Sequence, residues 1–148
     1  MEHTLYLALG TNLGNKEENI CNAYAKIEEQ VWNIIKRSSL YQSKPWGFTS
    51  NNDFINTVIC CETNLTPHEV LDTIKAIERE MGRTIKSENG VYHDRIIDID
   101  ILFYDDITVE ENDLHIPHPL MKERDFVMVP LKEVLDNDHS TLLKLKGK

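Results

Sequence analysis

An α+β fold is what this sequence predicts, on three observations. Two segments, 16–31 and 67–81, carry apolar residues at the 3.6-residue spacing of helices. Four others run apolar, or alternate, over strand lengths. Their order is β-α-β-β-α-β with a C-terminal helical appendage, the split βαβ or ferredoxin-like arrangement of an antiparallel sheet with both helices on one face. The other face is then open to a ligand. At 148 residues the chain is expected to be one domain, residues 1–148, able to bury a core without staples.

Residues 4–9 (TLYLAL) form a buried strand ending at Gly10. The following GTNLGNK looks like a phosphate-cradling loop only superficially, because the spacing is wrong and no Ser or Thr follows Lys16. It reads as a tight turn with Asn15 as N-cap and Glu17 and Glu18 in the first helical turn. Ile20, Ala23, Tyr24, Ile27 and Val31 then make a core-facing stripe. Residues 33–43 read as one partly exposed strand, and 44–53 as a loop carrying Trp46 and Phe48. In the strand at 54–63, Phe54, Asn56, Val58 and Cys60 share a face, which leaves Asn56 a polar group in an apolar row. Its amide must find backbone, water or ligand.

The second helix has the clearest limits. Thr66-Pro-His-Glu69 is a capping box with proline at the first helical position, and Gly82 is the stop. Val70, Ile74, Ile77 and Met81 form its stripe, with Glu78 one step around. A polar stretch with Arg83 and Lys86 leads to Arg95. Ile107–Val109 reads as a short returning strand. Residues 114–119 read as irregular, because Pro117 and Pro119 bar a ladder, and as a stiff carrier of His115 and His118. Residues 121–126 and 130–135 read as separate short helical turns.

Composition narrows function. Sixteen basic against 25 acidic residues, net −9, argue against a general binder of nucleic acid or acidic membranes. An anion site must then be a local cluster of Arg or Lys. No apolar run approaches the roughly 18 residues of a membrane span, and no signal-peptide pattern opens the chain. Cys21, Cys60 and Cys61 lack metal-ligand spacing and read as free thiols of a cytoplasmic protein. Neither end carries a sign of a fused partner domain.

The chemistry concentrates in Arg95-Ile-Ile-Asp-Ile-Asp-Ile-Leu102. As a strand it sets Asp98, Asp100 and Leu102 on one face and Ile97, Ile99, Ile101 and Phe103 on the other. Side-by-side carboxylates repel unless a cation lies between them. Carboxylates without clustered Cys or His favour a hard ion, Mg²⁺ or Mn²⁺, whose shell is completed by water and phosphate oxygens. Arg83, Arg95, Arg124 and His118 would suit a polyphosphate. An acidic strand facing solvent is the plain structural alternative.

At these residues the chain resembles the 6-hydroxymethyl-7,8-dihydropterin pyrophosphokinases of folate biosynthesis. The likeness runs through GTNLGN at 10–15, YQSKPWG at 41–47, FIN at 54–56, IEREMGR at 77–83, RIIDIDIL at 95–102, IPHP at 116–119 and MKERDFVMVPL at 121–131. It implies the ferredoxin-like fold and transfer of the terminal diphosphate of ATP to the pterin hydroxymethyl group, releasing AMP. It implies that Asp98 and Asp100 hold two Mg²⁺ ions and, with Arg83 and Arg95, form the catalytic set. On the ATP side it implies Glu78, Arg83, Tyr92, Arg95, Ile101, His115, His118 and Arg124. On the pterin side it implies Ser43, Lys44, Pro45, Trp46, Phe54, Asn56, Asp98 and Phe126. ATP and the pterin are the expected partners, and a monomer the expected state. The sequence departs from the family pattern at Tyr92, Phe54 and Pro119 and in a longer stretch at 84–94. The same topology also serves palm-type nucleotidyltransferases and cyclases, which release pyrophosphate, and ligand sensors without catalysis.

Overall fold

The structure is a computed structural model that describes residues 2–44, 53–82 and 96–135. Its elements are β1 (His3–Thr11), α1 (Lys16–Gln30), β2 (Ile34–Arg37), β3 (Tyr41–Ser43), β4 (Phe54–Thr63), α2 (Pro67–Glu80), β5 (Asp98–Tyr104), β6 (Val109–Glu110), β7 (His115–Ile116), a 3₁₀ turn (Met121–Glu123) and α3 (Asp125–Leu135). The main sheet runs β2-β4-β1-β5, with β3 also on β4, and every pairing in it is antiparallel. β6 and β7 form a separate hairpin.

The helix limits follow the caps read from sequence. The Asn15 side chain accepts the Glu18 N–H at 3.1 Å. Thr66 and Glu69 make the reciprocal capping box, at 3.2 and 2.9 Å. Gly82 takes φ +99°, the left-handed conformation that ends a helix without a Cβ penalty. Alternation along the strands then divides the core in two. Leu5, Leu7 and Leu9, with Ile59, Ile99 and Ile101, pack under α1 and α2. Tyr6 and Ala8, with Val58, Cys60 and Leu102, pack under α3.

Several expectations change. The strand predicted over 33–43 is two strands, because Ser38 interrupts it. The Ser38 N–H donates to the Val58 carbonyl at 2.9 Å, and its Oγ accepts the Val58 N–H at 2.9 Å in place of a regular ladder. The expected returning strand near Ile107–Val109 pairs with His115–Ile116 rather than with the sheet, so 114–119 is only partly irregular. The two C-terminal turns are a 3₁₀ turn and one helix that runs through Pro130. Proline removes one ladder bond there, but Val127, Pro130, Leu131, Val134 and Leu135 are all buried, and that burial outweighs the lost bond. The face expected to be open is therefore half covered by α3.

Phe103 is also on the other side from the one its alternation predicts. Leu7 pairs with Ile101 but Tyr6 with Phe103, so Leu102 is an extra residue. This bulge reverses the parity beyond it. Phe103 joins the α3 side, and Tyr104 turns to the helix side, where its hydroxyl donates to the Leu65 carbonyl at 2.8 Å.

Candidate active site

The part of the sheet that α3 leaves uncovered is a trough. Gly10 lies between Asn56 on β4 and Asp98 on β5, and Ala8 lies between Val58 and Asp100. Two of the smallest side chains thus form the floor between a polar amide and two carboxylates. The gap at Gly10 is tight at one edge: a Cβ there would stand 3.1 Å from Asn56 Oδ1 and 3.5 Å from the Phe54 ring. Phe54, and Phe126 from the first turn of α3, both line the resulting cleft of about 470 Å³.

Asn56 is only 4% exposed, and its orientation is decided by what surrounds it. Its Nδ2 donates to the Tyr41 carbonyl at 3.0 Å and to Ser43 Oγ at 2.8 Å. A carbonyl can only accept, so the amide nitrogen must face β3 and Oδ1 must face Gly10. The site therefore offers a fixed acceptor at the edge of a slot lined by two aromatic rings. Beside it, exposed Lys44 reaches to 3.9 Å from half-buried Asp53, a long contact of little energetic weight.

Asp98 and Asp100 are half-buried on the same face, as their spacing predicts. Facing them from the segment after β7 are His118 and, ahead of α3, Arg124, whose guanidinium lies 5.8 Å from the Phe126 ring centre. Burial, the Arg124 charge and His115 lower the His118 pKa to about 4, with Asp98 opposing. His118 is therefore neutral at neutral pH. Its Nδ1 lies 3.2 Å from the Leu120 N–H and accepts it, which puts the ring proton on Nε2 as a donor.

The cleft continues past the outer edge of β5, between α2 and the β6–β7 hairpin. Leu71, Ile74 and Lys75 line one wall, and Asp113, Leu114 and His115 the other. Ile101 is buried in the helix-side core yet borders this wall. Glu78, in the last turn of α2, accepts the Ile99 N–H through Oε2 at 2.8 Å. Antiparallel pairing alternates by twos, so the backbone of Ile101 faces the same outer edge.

Ser43, Lys44, Phe54, Asn56, Glu78, Asp98, Asp100, Ile101, His115, His118, Arg124 and Phe126 all border this one cleft. Pro45, Trp46, Arg83, Tyr92 and Arg95 lie outside the described residues. Gly10, Leu71, Lys75, Asp113 and Leu114 also border the cleft and are absent from the residues predicted for it. A glycine inside a strand is a signal of close approach and could have been read so. The α2 and hairpin residues carry no local mark, because only the packing of α2 beside β7 makes them neighbours.

The family profile for 7,8-dihydro-6-hydroxymethylpterin-pyrophosphokinase (HPPK) matches residues 6–136. A 2-amino-4-hydroxy-6-hydroxymethyldihydropteridine pyrophosphokinase of Porphyromonas gingivalis is 44% identical over 131 residues, 88% of this chain and 89% of its own length. One from Aquifex aeolicus is 42% identical over 134 residues, 90% of this chain and 81% of its own. The wild-type Plasmodium falciparum HPPK-DHPS crystal structure with pteroate shares the fold at TM-score 0.70 and 18% identity, over 89% of this chain and 38% of that one. The trough with its paired aspartates thus stands in a chain that belongs to the 7,8-dihydro-6-hydroxymethylpterin-pyrophosphokinase family.

Proposed function

We propose that this cleft transfers the terminal diphosphate of ATP to the hydroxymethyl group of 6-hydroxymethyl-7,8-dihydropterin, releasing AMP, with Asp98 and Asp100 as ligands of two Mg²⁺ ions. The pyrophosphoryl transfer itself, a step of folate biosynthesis, is the activity of the family. The observation that carries the assignment of parts is the row Asn56–Gly10–Asp98, an acceptor, a gap and a carboxylate in line across three strands.

A flat heterocycle fits the gap between Phe54 and Phe126, where stacking supplies affinity. Asn56 Oδ1 takes an N–H from its polar edge, with Ser43 holding the amide in place. The ring's exocyclic arm then points along Gly10 toward Asp98 and Asp100. Those two carboxylates, with no thiol among the described lining residues, are a hard-oxygen donor set that fits Mg²⁺. Held by these carboxylates, Mg²⁺ would supply charge neutralisation for the polyphosphate as it is attacked. Arg124 and the Nε2–H of neutral His118 hold phosphate oxygens on the opposite side. Arg83, Arg95 and Tyr92 belong to the same polyphosphate side by their place in the family pattern, and Pro45 and Trp46 to the pterin side. Adenine lies in the apolar wall of Leu71, Ile74 and Leu114, against the outward backbone of Ile101 and beside His115. In this reading the chain acts as a single domain and a monomer in the cytoplasm.

The test is product analysis with ATP, Mg²⁺ and the hydroxymethyl pterin. Equal amounts of AMP and pterin diphosphate are expected. Release of inorganic pyrophosphate in place of AMP would mark a nucleotidyl transferase and overturn the reading.

A further inference from the structure

Glu78 occupies a place that electrostatics disfavours three times over. It is 9% exposed, so its carboxylate has lost most of its water. It sits in the last turn of α2, at the negative end of the helix dipole. It also borders a cleft that already contains Asp98 and Asp100.

Its contact supplies the function. β5 pairs with β1 on one side and is the end strand of the main sheet on the other. On that outer edge the Ile99 N–H donates to Glu78 Oε2 at 2.8 Å, and the Leu102 carbonyl accepts the His118 N–H at 3.2 Å. Ile99 is the residue between the two aspartates, so one bond fixes the pleat at both. Two carboxylates held side by side repel, and an end strand can relieve that repulsion by twisting or fraying. A charged acceptor bound to the amide between them opposes this, and is stronger than a neutral one.

We propose that Glu78 is a positioning residue for the cation-binding aspartates, acting through the Ile99 amide. Its reach is to the strand, and through the strand to Asp98 and Asp100, so that the pair is set for Mg²⁺–nucleotide before the nucleotide arrives. This inference rests on the reading of Asp98 and Asp100 as the cation ligands.

The test uses three variants. Glu78→Met keeps the length but has no comparable oxygen acceptor, Glu78→Gln keeps an oxygen acceptor without the charge, and Asp98→Ala removes a proposed ligand. Calorimetry or manganese electron paramagnetic resonance reads Mn²⁺ binding with a non-hydrolysable ATP analogue, and amide exchange reads protection at Ile99. Glu78→Met is expected to weaken Mn²⁺–nucleotide binding about tenfold or more, the usual effect of losing an outer partner of a metal ligand. It should also speed exchange at Ile99, and Glu78→Gln should recover most of both losses. Equal Mn²⁺ binding in Glu78→Met and wild type would overturn the inference. So would a Glu78→Gln variant no better than Glu78→Met, since the charge would then act directly. If Asp98→Ala binds Mn²⁺–nucleotide like wild type, the ligand assignment itself fails.

Discussion

Alternate residues of the same three strands build two faces of the sheet, and those faces meet different fates. On the helix side, Leu5, Leu7 and Leu9 of β1 and their neighbours are sealed beneath α1 and α2. On the other side, Tyr6 and Ala8 are buried under α3, but the row stops there. The next residues outward, Gly10, Asn56 and Asp98, border the cleft. The difference lies in how far the covering helices reach. α3 crosses only part of the sheet, and the uncovered part holds Gly10, Asn56 and the two aspartates. One face is thus given to stability and the other is divided between stability and binding.

Mutations can break this comparison. The largest effect is expected at the aspartates: Asp98→Ala and Asp100→Ala should each lower turnover by about 10³-fold or more, the weight of a several-kcal/mol metal contribution. Their melting temperatures should stay near that of the wild type, since both side chains are half-buried at the cleft rather than in the core. A strong loss of stability without loss of turnover would make them structural. Next come core truncations on the two faces. Ile77→Ala on α2 and Leu131→Ala on α3 should each cost about 2–5 kcal/mol by chemical denaturation. Only Leu131→Ala should also raise the KM for the pterin, because α3 carries Phe126; equal pterin KM values in both would blur the division.

Smaller still is Gly10→Ala, where the added Cβ meets Asn56 Oδ1 at 3.1 Å. Overpacking there should cost about 1–3 kcal/mol, read as weaker pterin binding rather than weaker nucleotide binding. Thr66→Ala removes an N-cap that does not itself border the cleft and should cost about 1 kcal/mol of stability with unchanged kinetics.

The last prediction concerns pH. His118 has a folded pKa of about 4 against an ordinary 6.5, so between those values the unfolded chain binds the extra proton and the native chain does not. Its contribution to stability is present above about pH 6.5 and is lost as pH falls toward about 4. Denaturation midpoints measured across that window should fall less steeply in His118→Gln. Bound polyphosphate should raise the histidine's pKa and reduce the same slope.

Much of this was legible in the residues, and what was not has a physical cause. The caps of α1 and α2 are local hydrogen-bonding patterns, so Asn15, Thr66 and Glu69 could be read directly. The break at Ser38 depends on a bond to Val58, twenty residues away, and no pattern within 33–43 records it. The bulge at Leu102 is equally invisible, because it is a property of pairing with β1. Phe103 departs from simple alternation for that reason, while Asp98 and Asp100, before the bulge, follow it.

By itself, the order of apolar periods determines the split βαβ topology, and the alternation of Asp98-Ile-Asp100 determines that two carboxylates share a face. These are consequences of the 3.6 and 2.0 residue repeats, which act within a few residues of chain. Tertiary structure decided the rest. It laid α3 over only half of that face and turned Asn56 Oδ1 toward Gly10. It also brought the Glu78 carboxylate to the Ile99 amide, 21 residues along the chain. Such contacts join residues whose neighbourhood exists only once the sheet has closed, so no local period can encode them.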